Sequence, residues 1–512
     1  MAEQFIDCLR DVINNSSDCY IQTENGTLGY KSSGSKLLDL NFSASSLRNA
    51  SEEYIWEEFC EAFADDPTLS IAWLFFARDV RGGMGERRLF RIIFSNLCSE
   101  WSSLATALIP YVEKYGRFDD VISLLDGDKI GKTAKKAVLE YLSSKLMEDV
   151  ANLPKKHAPV SLLAKWMPSE NASSKLSRRL SYMIMEYMGI SERQYRKILT
   201  SLRNRIGVVE TMMSAGEWEK INYERVPSRA GMLYHDAFER HDRERYNEYL
   251  EDVKNGNAKI NSSTLFPYEI VGRIRYEANC DALNAMWNAL PNSEIPASTL
   301  VVVDGSGSMT SPVGNTHFLC LDVSHSMGIY FSERLTGPYR NKIITFSSKP
   351  QFVKFPEGAS LNTKVKIIDK YNDCTNTDLE RTFDLILRTA IENNLKQEEL
   401  PANVLIISDM EFDMCIWGNR KALMETISDK FESNGYKLPR LIFWNVCSRT
   451  GAIPMRQNDN GVVLVSGFSP NVVSMIMSEK TDPYECLVET LTSERYQPII
   501  EEVKRYGTIF KG

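Results

Sequence analysis

The 512-residue sequence contains no apolar run approaching the roughly 18 to 20 residues that cross a bilayer, so no membrane span is expected. Its first residues, MAEQFIDCLRDV, have no basic segment leading into an apolar core, and no secretion signal is expected. Ten cysteines are scattered without CxxC or CxxxC spacing, which excludes a disulfide framework and a zinc site and points to reduced thiols in a cytoplasmic protein. Histidine is scarce: His157, His235, His241, His317 and His325 lie in no nucleophile elbow or metallohydrolase pattern, so catalysis is not expected. His235 and His241, six residues apart, fall on different helix faces and suit capping and ion pairing. Cys374 has no partnered histidine and reads as a small half-buried thiol. The net charge of −8 argues against a uniformly basic nucleic-acid binder.

What is present is a soluble globular composition, 43% hydrophobic and 25% charged, in a chain long enough for two or more domains. Before about residue 295 apolar positions recur at helical spacing, as in EEYIWEEFCEAFADDP, TLSIAWLFFARDV, ERRLFRIIFSNLC and KLSRRLSYMIMEYMGI. Asp-Pro and Gly-rich turns separate these runs, so this half reads as stacked helix pairs, although no strict repeat period is present. The glycines of RGGMGER, Arg81 to Arg87, could approach a phosphate, but the Gly-Lys-Ser/Thr of a nucleotide loop is missing. The better reading is a tight turn between two helices with Arg78 paired to a carboxylate.

After residue 295, short β-branched runs (STLVVV, KIITF, NVLIIS, RLIFWNV, GVVLVSG) alternate with helical ones, among them a helix from about Asp378 to Asn393. That alternation means a doubly wound, mostly parallel sheet. Leu290 to Ser298, LPNSEIPAS, is the expected linker between an N-terminal helical region, 1–296, and a C-terminal α/β domain, 297–512.

Asp-x-Ser-x-Ser occurs twice, as Asp304, Ser306, Ser308 and as Asp322, Ser324, Ser326. The first follows an apolar strand, so Asp304 lies at a carboxyl strand end, where open α/β sheets place ligands. The second falls in an amphipathic helical run, where residues two apart cannot converge on one ion. Thr375 and Thr377 in TNTD open a later helix, and Asp409 ends the NVLIIS strand. Three loops at one sheet edge would thus supply Asp304, Ser306, Ser308, Thr375 and Asp409, hard oxygens of low total charge that suit Mg²⁺ (or Mn²⁺). Such a cage leaves the ion electrophilic toward one outside acidic ligand.

VVVDGSGSM, TNT and IISDMEFD, in that order, resemble the metal-ion-dependent adhesion site of von Willebrand factor A domains. That resemblance, over about residues 297 to 512, implies direct metal contact from Ser306 and Ser308, help from Thr375, and water-mediated contact from Asp304 and Asp409. It also implies a Rossmann-like fold and a carboxylate of a partner protein in the last coordination position, without hydrolysis. ARDVRGGMGERRLF, YRKILTSLRNRIGVVE, VPSRAGMLYHDAFERHD and FWNVCSRTGAIP resemble a largely uncharacterised family that joins a helical region to such a domain. The layout is similar to the TROVE proteins, including the Ro autoantigen, whose ring of HEAT-like α-helical repeats binds RNA.

Between Lys155 and Val209, eleven Lys or Arg against three Glu leave +8 in an otherwise acidic chain, with Tyr182, Tyr187 and Tyr195 interleaved. Basic residues on helices usually form a solvated face, but tyrosines beside them could stack on bases. The candidate RNA contacts are Arg178, Arg179, Arg193, Arg196, Lys197, Arg203 and Arg205. RNA, structured or single-stranded, is favoured over a DNA duplex because no helix-turn-helix, zinc or basic-zipper pattern occurs. The expectation is a non-enzymatic ribonucleoprotein-type scaffold with a Mg²⁺-dependent protein contact. The alternative is a purely protein-binding adaptor, for instance of a chaperone or ATPase complex; a metal-dependent phosphoesterase would need further carboxylates around Asp304.

Overall fold

The computed structural model describes residues 20–506 apart from 128, 278–279, 293–294, 315, 347–349, 372–377, 413–422, 455–460, 479 and 481. Two short strands, β1 (Tyr20–Gln22) and β2 (Leu28–Tyr30), form an antiparallel hairpin. Six more, β3 (Thr299–Asp304), β4 (Lys342–Phe346), β5 (Phe352–Lys354), β6 (Asn403–Ser408), β7 (Arg440–Asn445) and β8 (Val462–Ser466), form one sheet in the order β5-β4-β3-β6-β7-β8. All neighbours are parallel except β4 and β5. Every residue of β3 and β6 is buried, which is why these strands read as unbroken Val, Leu and Ile rather than as an alternation. The edge strand β5 escapes a sequence reading because it has three residues, exposed on either side of a buried Val353.

The order of the strands fixes where a ligand can sit. From β3 the chain winds outward through β4 and β5, then returns to the other flank of β3 at β6 and winds the opposite way through β7 and β8. The carboxyl ends of β3 and β6 therefore border the crevice where winding reverses. Helix Cys320–Arg334 packs closely on β3 at Gly328, where an added Cβ would stand 2.4 Å from Val303 Cγ2.

The compact packing units of the described residues do not follow the expected boundary at residue 296. The described residues form two compact units: one takes those up to Trp73, Gly82–Met84 and those within Leu265–Ser493, and the other takes Leu74–Arg81, those within Gly85–Thr264 and those from Glu494 to Tyr506. The described residues of the stretch expected as a linker are packed into the sheet-bearing unit. Leu290 and Ile295 are buried, the Tyr330 hydroxyl donates to the Pro291 carbonyl, and Thr299 Oγ1 donates to the Pro296 carbonyl at 2.6 Å. Helix Asp281–Asn288 belongs to the same unit, with the Trp287 indole donating to Glu333 at 2.7 Å. So does helix Lys36–Ser43: Asn445 Nδ2 donates to the Phe42 carbonyl (2.8 Å), and Ser45 N donates to Ser466 Oγ (3.0 Å).

The other unit is helical. Its helices include Arg87–Glu100, Ser102–Tyr115, Lys132–Asn152, Lys175–Met188, Glu192–Ile206, Ser228–His241 and Arg243–Lys254. Local chemistry sets the ends: Ser191 and Gln194 form a capping box, and Gly207 closes the same helix in the left-handed region. The turn from Arg81 to Arg87 does connect two helices, and Arg78 is buried against Asp120 at 2.6 Å. The last helix, Gln497–Tyr506, returns to this unit rather than closing the sheet. Tyr496 stacks on Tyr115 and donates to Asp79 at 3.0 Å, and Arg495 Nη2 donates to Asp79 at 2.7 Å. Among the described residues, helix lengths run from 4 residues (Leu163–Trp166) to 21 (Lys132–Asn152). Among the described residues no helix is long and apolar enough to cross a membrane.

Candidate functional site

Asp304 ends β3 and is fully buried, and the Gly-rich turn after it bends back so that Ser306 N donates to Asp304 Oδ1 at 2.9 Å. Ser306 Oγ and Ser308 Oγ are 2.9 Å apart, so the three residues of the first copy converge. From the end of β6, Ser408 Oγ donates to Asp304 Oδ2 at 2.6 Å and receives Met410 N at 3.1 Å. Asp409 follows, 1% exposed, and its Oδ1 accepts Glu411 N at 3.3 Å. Met410 holds φ +64°, a left-handed conformation unusual for a residue with a side chain, and it lets the chain turn sharply at the sheet edge.

These buried carboxylates are under electrostatic stress. Burial, then the charge of Asp409, pushes the Asp304 carboxyl up to about 7. Asp409 is likewise raised by burial, against the opposing pull of Ser308 and Arg449. Asp409 Oδ2 accepts no hydrogen bond among the described residues, while Arg449 Nη2 stands 3.4 Å away. An unsatisfied buried carboxylate oxygen is costly, and a divalent cation would relieve it. Two carboxylates and two hydroxyls, all hard oxygen donors, fit Mg²⁺ or Mn²⁺. Thr375, the remaining expected donor, lies outside the described residues, as do Cys374 and Thr377.

The second Asp-x-Ser-x-Ser copy is helical, within Cys320–Arg334. Asp322 accepts Leu319 N at 2.8 Å as the cap of its own helix and pairs with Arg275, while Ser324 Oγ donates to the Asp304 carbonyl at 3.0 Å. The second copy thus supports the first from beneath instead of forming a site.

Several participants had no role in the sequence reading. Glu411 is fully buried, and its carboxylate accepts Arg449 N (2.7 Å), Thr450 N (2.9 Å), Glu24 N (2.9 Å) and the hydroxyls of Ser448 and Thr450. Arg449 Nη1 donates to the Ser308 carbonyl at 3.3 Å and to Ser311 Oγ at 3.2 Å. Its Nε and Nη2 both reach the Glu24 carboxylate at 2.7 Å. The available signal was position: NVCSRT follows β7, so its loop opens on the same edge as those after β3 and β6.

Five of the seven candidate RNA contacts are committed to their own chain. Arg203 donates to the carbonyls of Ala164 and Met167 and to Ser169 Oγ, Arg178 to the carbonyls of Ala172 and Ser173, and Arg205 to those of Lys155 and Lys156. Arg196 pairs with Glu170 at 2.5 Å and Arg179 with Asp126 at 2.8 Å. Tyr195 is buried with its hydroxyl on the Pro168 carbonyl at 2.8 Å, so it cannot stack on a base; the apolar face of its helix claims it. Arg193, Lys197, Tyr182 and Tyr187 are exposed. His241 stacks on Trp218 at 4.4 Å, and His235 is buried.

Comparison with known proteins adds family matches without an assigned activity. A family described as "Domain of unknown function (DUF7788)" matches residues 298–505, and one described as "Domain of unknown function (DUF2828)" matches residues 114–297. The two matches meet where the sequence changes character. An uncharacterised protein of Acanthamoeba polyphaga mimivirus is 29% identical, over 93% of this chain and 88% of its own length. Among solved structures, the Deinococcus radiodurans RO (RSR) protein aligns with a TM-score of 0.34 and 12% identity, covering 89% of this chain and 93% of that one. At that score the likeness carries no weight for fold or function.

Proposed function

We propose that the sheet-bearing unit is a binding module of the von Willebrand A type, which holds Mg²⁺ or Mn²⁺ through Asp304, Ser306, Ser308 and Asp409, with Thr375, and offers it to an acidic group of a partner protein. The observation that carries this reading is the pair of buried carboxylates, one with an unsatisfied oxygen, at the two strand ends where the sheet reverses its winding. Binding is favoured over hydrolysis because the further acid nearby, Glu411, has both oxygens taken up by backbone N–H groups and hydroxyls. The test is thermal melting of the full chain with and without Mn²⁺. The wild type should melt higher with the ion, and Asp304→Ala should show no metal effect. An Asp304→Ala protein that keeps the full shift would remove the site from this set.

The helical unit carries the second limb, a cytoplasmic RNA scaffold, supported by exposed Arg193 and Lys197 on one helix and exposed Tyr182 and Tyr187 on the helix before it. Its affinity for a single strand should fall steeply with salt, each phosphate contact contributing about 0.7 to the slope. Arg193→Gln with Lys197→Gln should shallow that slope at an unchanged melting temperature. Wild-type protein without RNA affinity at low salt would favour the protein-only adaptor.

A further inference from the structure

The loop edge that bears the metal donors already holds a carboxylate from elsewhere in the chain. Glu24 sits in the turn between β1 and β2, and three contacts seat that turn beside the site. Thr23 Oγ1 donates to the Phe412 carbonyl at 2.6 Å, Glu24 N to Glu411 Oε2 at 2.9 Å, and Asn25 Nδ2 to the Glu411 carbonyl at 2.7 Å. Tyr30 and Ile453 exchange backbone hydrogen bonds at 2.8 and 3.0 Å and tie down the second strand. The Glu24 side chain, 49% exposed, grips Arg449 through two parallel N–H···O bonds. Arg449 in turn holds the backbone and side chains of the site, at Ser308, Ser311 and Asp409. Burial opposes its charge, but Glu24 and Asp409 outweigh that and raise its pKa.

We propose that Arg449 is a second receptor for the partner's acidic side chains, beside the cation, and that Glu24 is an internal carboxylate occupying that place until a partner displaces it. The planar guanidinium fork matches a carboxylate bidentately, so it selects this chemistry over a neutral amide or a phosphate-free apolar surface. The exchange is feasible because the Glu24–Arg449 pair is partly solvated, and such pairs are individually weak. Anchored from below by Ser308 and Ser311, Arg449 keeps its position when Glu24 leaves. This inference rests on the proposed partner-binding reading but needs only the carboxylate, not the ion.

A fluorescein-labelled deca-glutamate peptide, with deca-glutamine as control, is titrated into the full-length protein in EDTA and again in Mn²⁺. Glu24→Gln should bind the acidic peptide about five-fold more tightly than wild type in both buffers, the effect of removing one exposed competing ion pair. Arg449→Gln should lose that binding, Arg449→Lys should recover only part of it, and the double variant should behave as Arg449→Gln. Equal peptide affinity in wild type and Glu24→Gln, with melting curves unchanged, overturns the proposal. So does an Arg449→Gln protein that binds as well as Glu24→Gln. Failure of the metal reading shows separately, as no Mn²⁺-dependent melting shift in any variant, while the Glu24 and Arg449 contrast in EDTA stands or falls by itself.

Discussion

A carboxylate's neighbours decide what its removal does, and three aspartates of this chain illustrate the range. Asp322 caps its helix and pairs with Arg275, which also holds Asp369 at 2.7 Å. Asp322→Ala should therefore cost about 1–3 kcal/mol of stability yet leave the Mn²⁺ melting shift in place, whereas Asp304→Ala should remove the shift. Equal loss of the shift in both variants would show that the two copies are not distinct. Asp120 is buried between Arg78 and Arg91; burial opposes its ionisation, but the two guanidinium groups outweigh that and hold its pKa below the ordinary 3.8. A depressed carboxyl contributes stability that is complete above its unfolded pKa and is lost as pH falls through the folded value. Asp120→Asn should cost about 3–5 kcal/mol at neutral pH, because Arg78 is left as an unpaired buried charge. The variant should also lose less further stability on acidification below about pH 4, which urea unfolding at a series of pH values would measure.

At the scale of elements, two glycines leave no room for a side chain between packed segments. Helix Cys320–Arg334 lies against β3 at Gly328, and helix Pro267–Ile274 carries Gly272, whose added Cβ would be 2.5 Å from the Phe318 ring. Gly328→Ala should destabilise by about 1–3 kcal/mol through overpacking of a buried face, since Val303 lies in a strand that cannot retreat. Gly272→Ala should cost less, because Phe318 is in a loop and only half-buried. Chemical denaturation of the two variants orders them, and a Gly328→Ala protein as stable as wild type would contradict the close packing. Because β3 ends in Asp304, a shift of that strand should also weaken the Mn²⁺ response of Gly328→Ala.

For the whole molecule, the arrangement of units determines which fragments can fold. A fragment of residues 297–512 omits the hairpin that seats on the β6 loop, helix Lys36–Ser43, and helices Pro267–Ile274 and Asp281–Asn288, all members of the sheet-bearing unit. It also carries Tyr496 and helix Gln497–Tyr506, whose packing partners belong to the helical unit. Such a fragment should bind a hydrophobic dye and melt without a sharp transition, while the full chain melts cooperatively. In the full chain, Tyr496→Ala should cost about 3–5 kcal/mol, the usual loss for a buried aromatic, with the Mn²⁺ response retained. A sharp melt for the isolated 297–512 fragment would refute this division.

The alternation of β-branched runs with amphipathic ones was enough to derive the parallel sheet, the helical first half, and the helical nature of the second Asp-x-Ser-x-Ser copy, because strand and helix periodicities are local properties of the chain. The convergence of Asp304, Ser306 and Ser308 was legible for the same reason: donor spacing within one turn is set by a few consecutive residues. Tyr195 shows the limit of that reading, since composition placed it among basic residues but helix geometry turned it inward. Arg449 reaches Ser308 across 141 residues of chain and Glu24 reaches Arg449 across 425, and no local pattern encodes such approaches. Likewise, the linker-like composition of Leu290 to Ser298 says nothing of Ile295 being buried, and the amphipathic last helix does not reveal which core accepts it. Apolar faces specify that a segment must be covered; which partner covers it is decided by non-directional burial summed over the whole fold, and only the tertiary structure contains that sum.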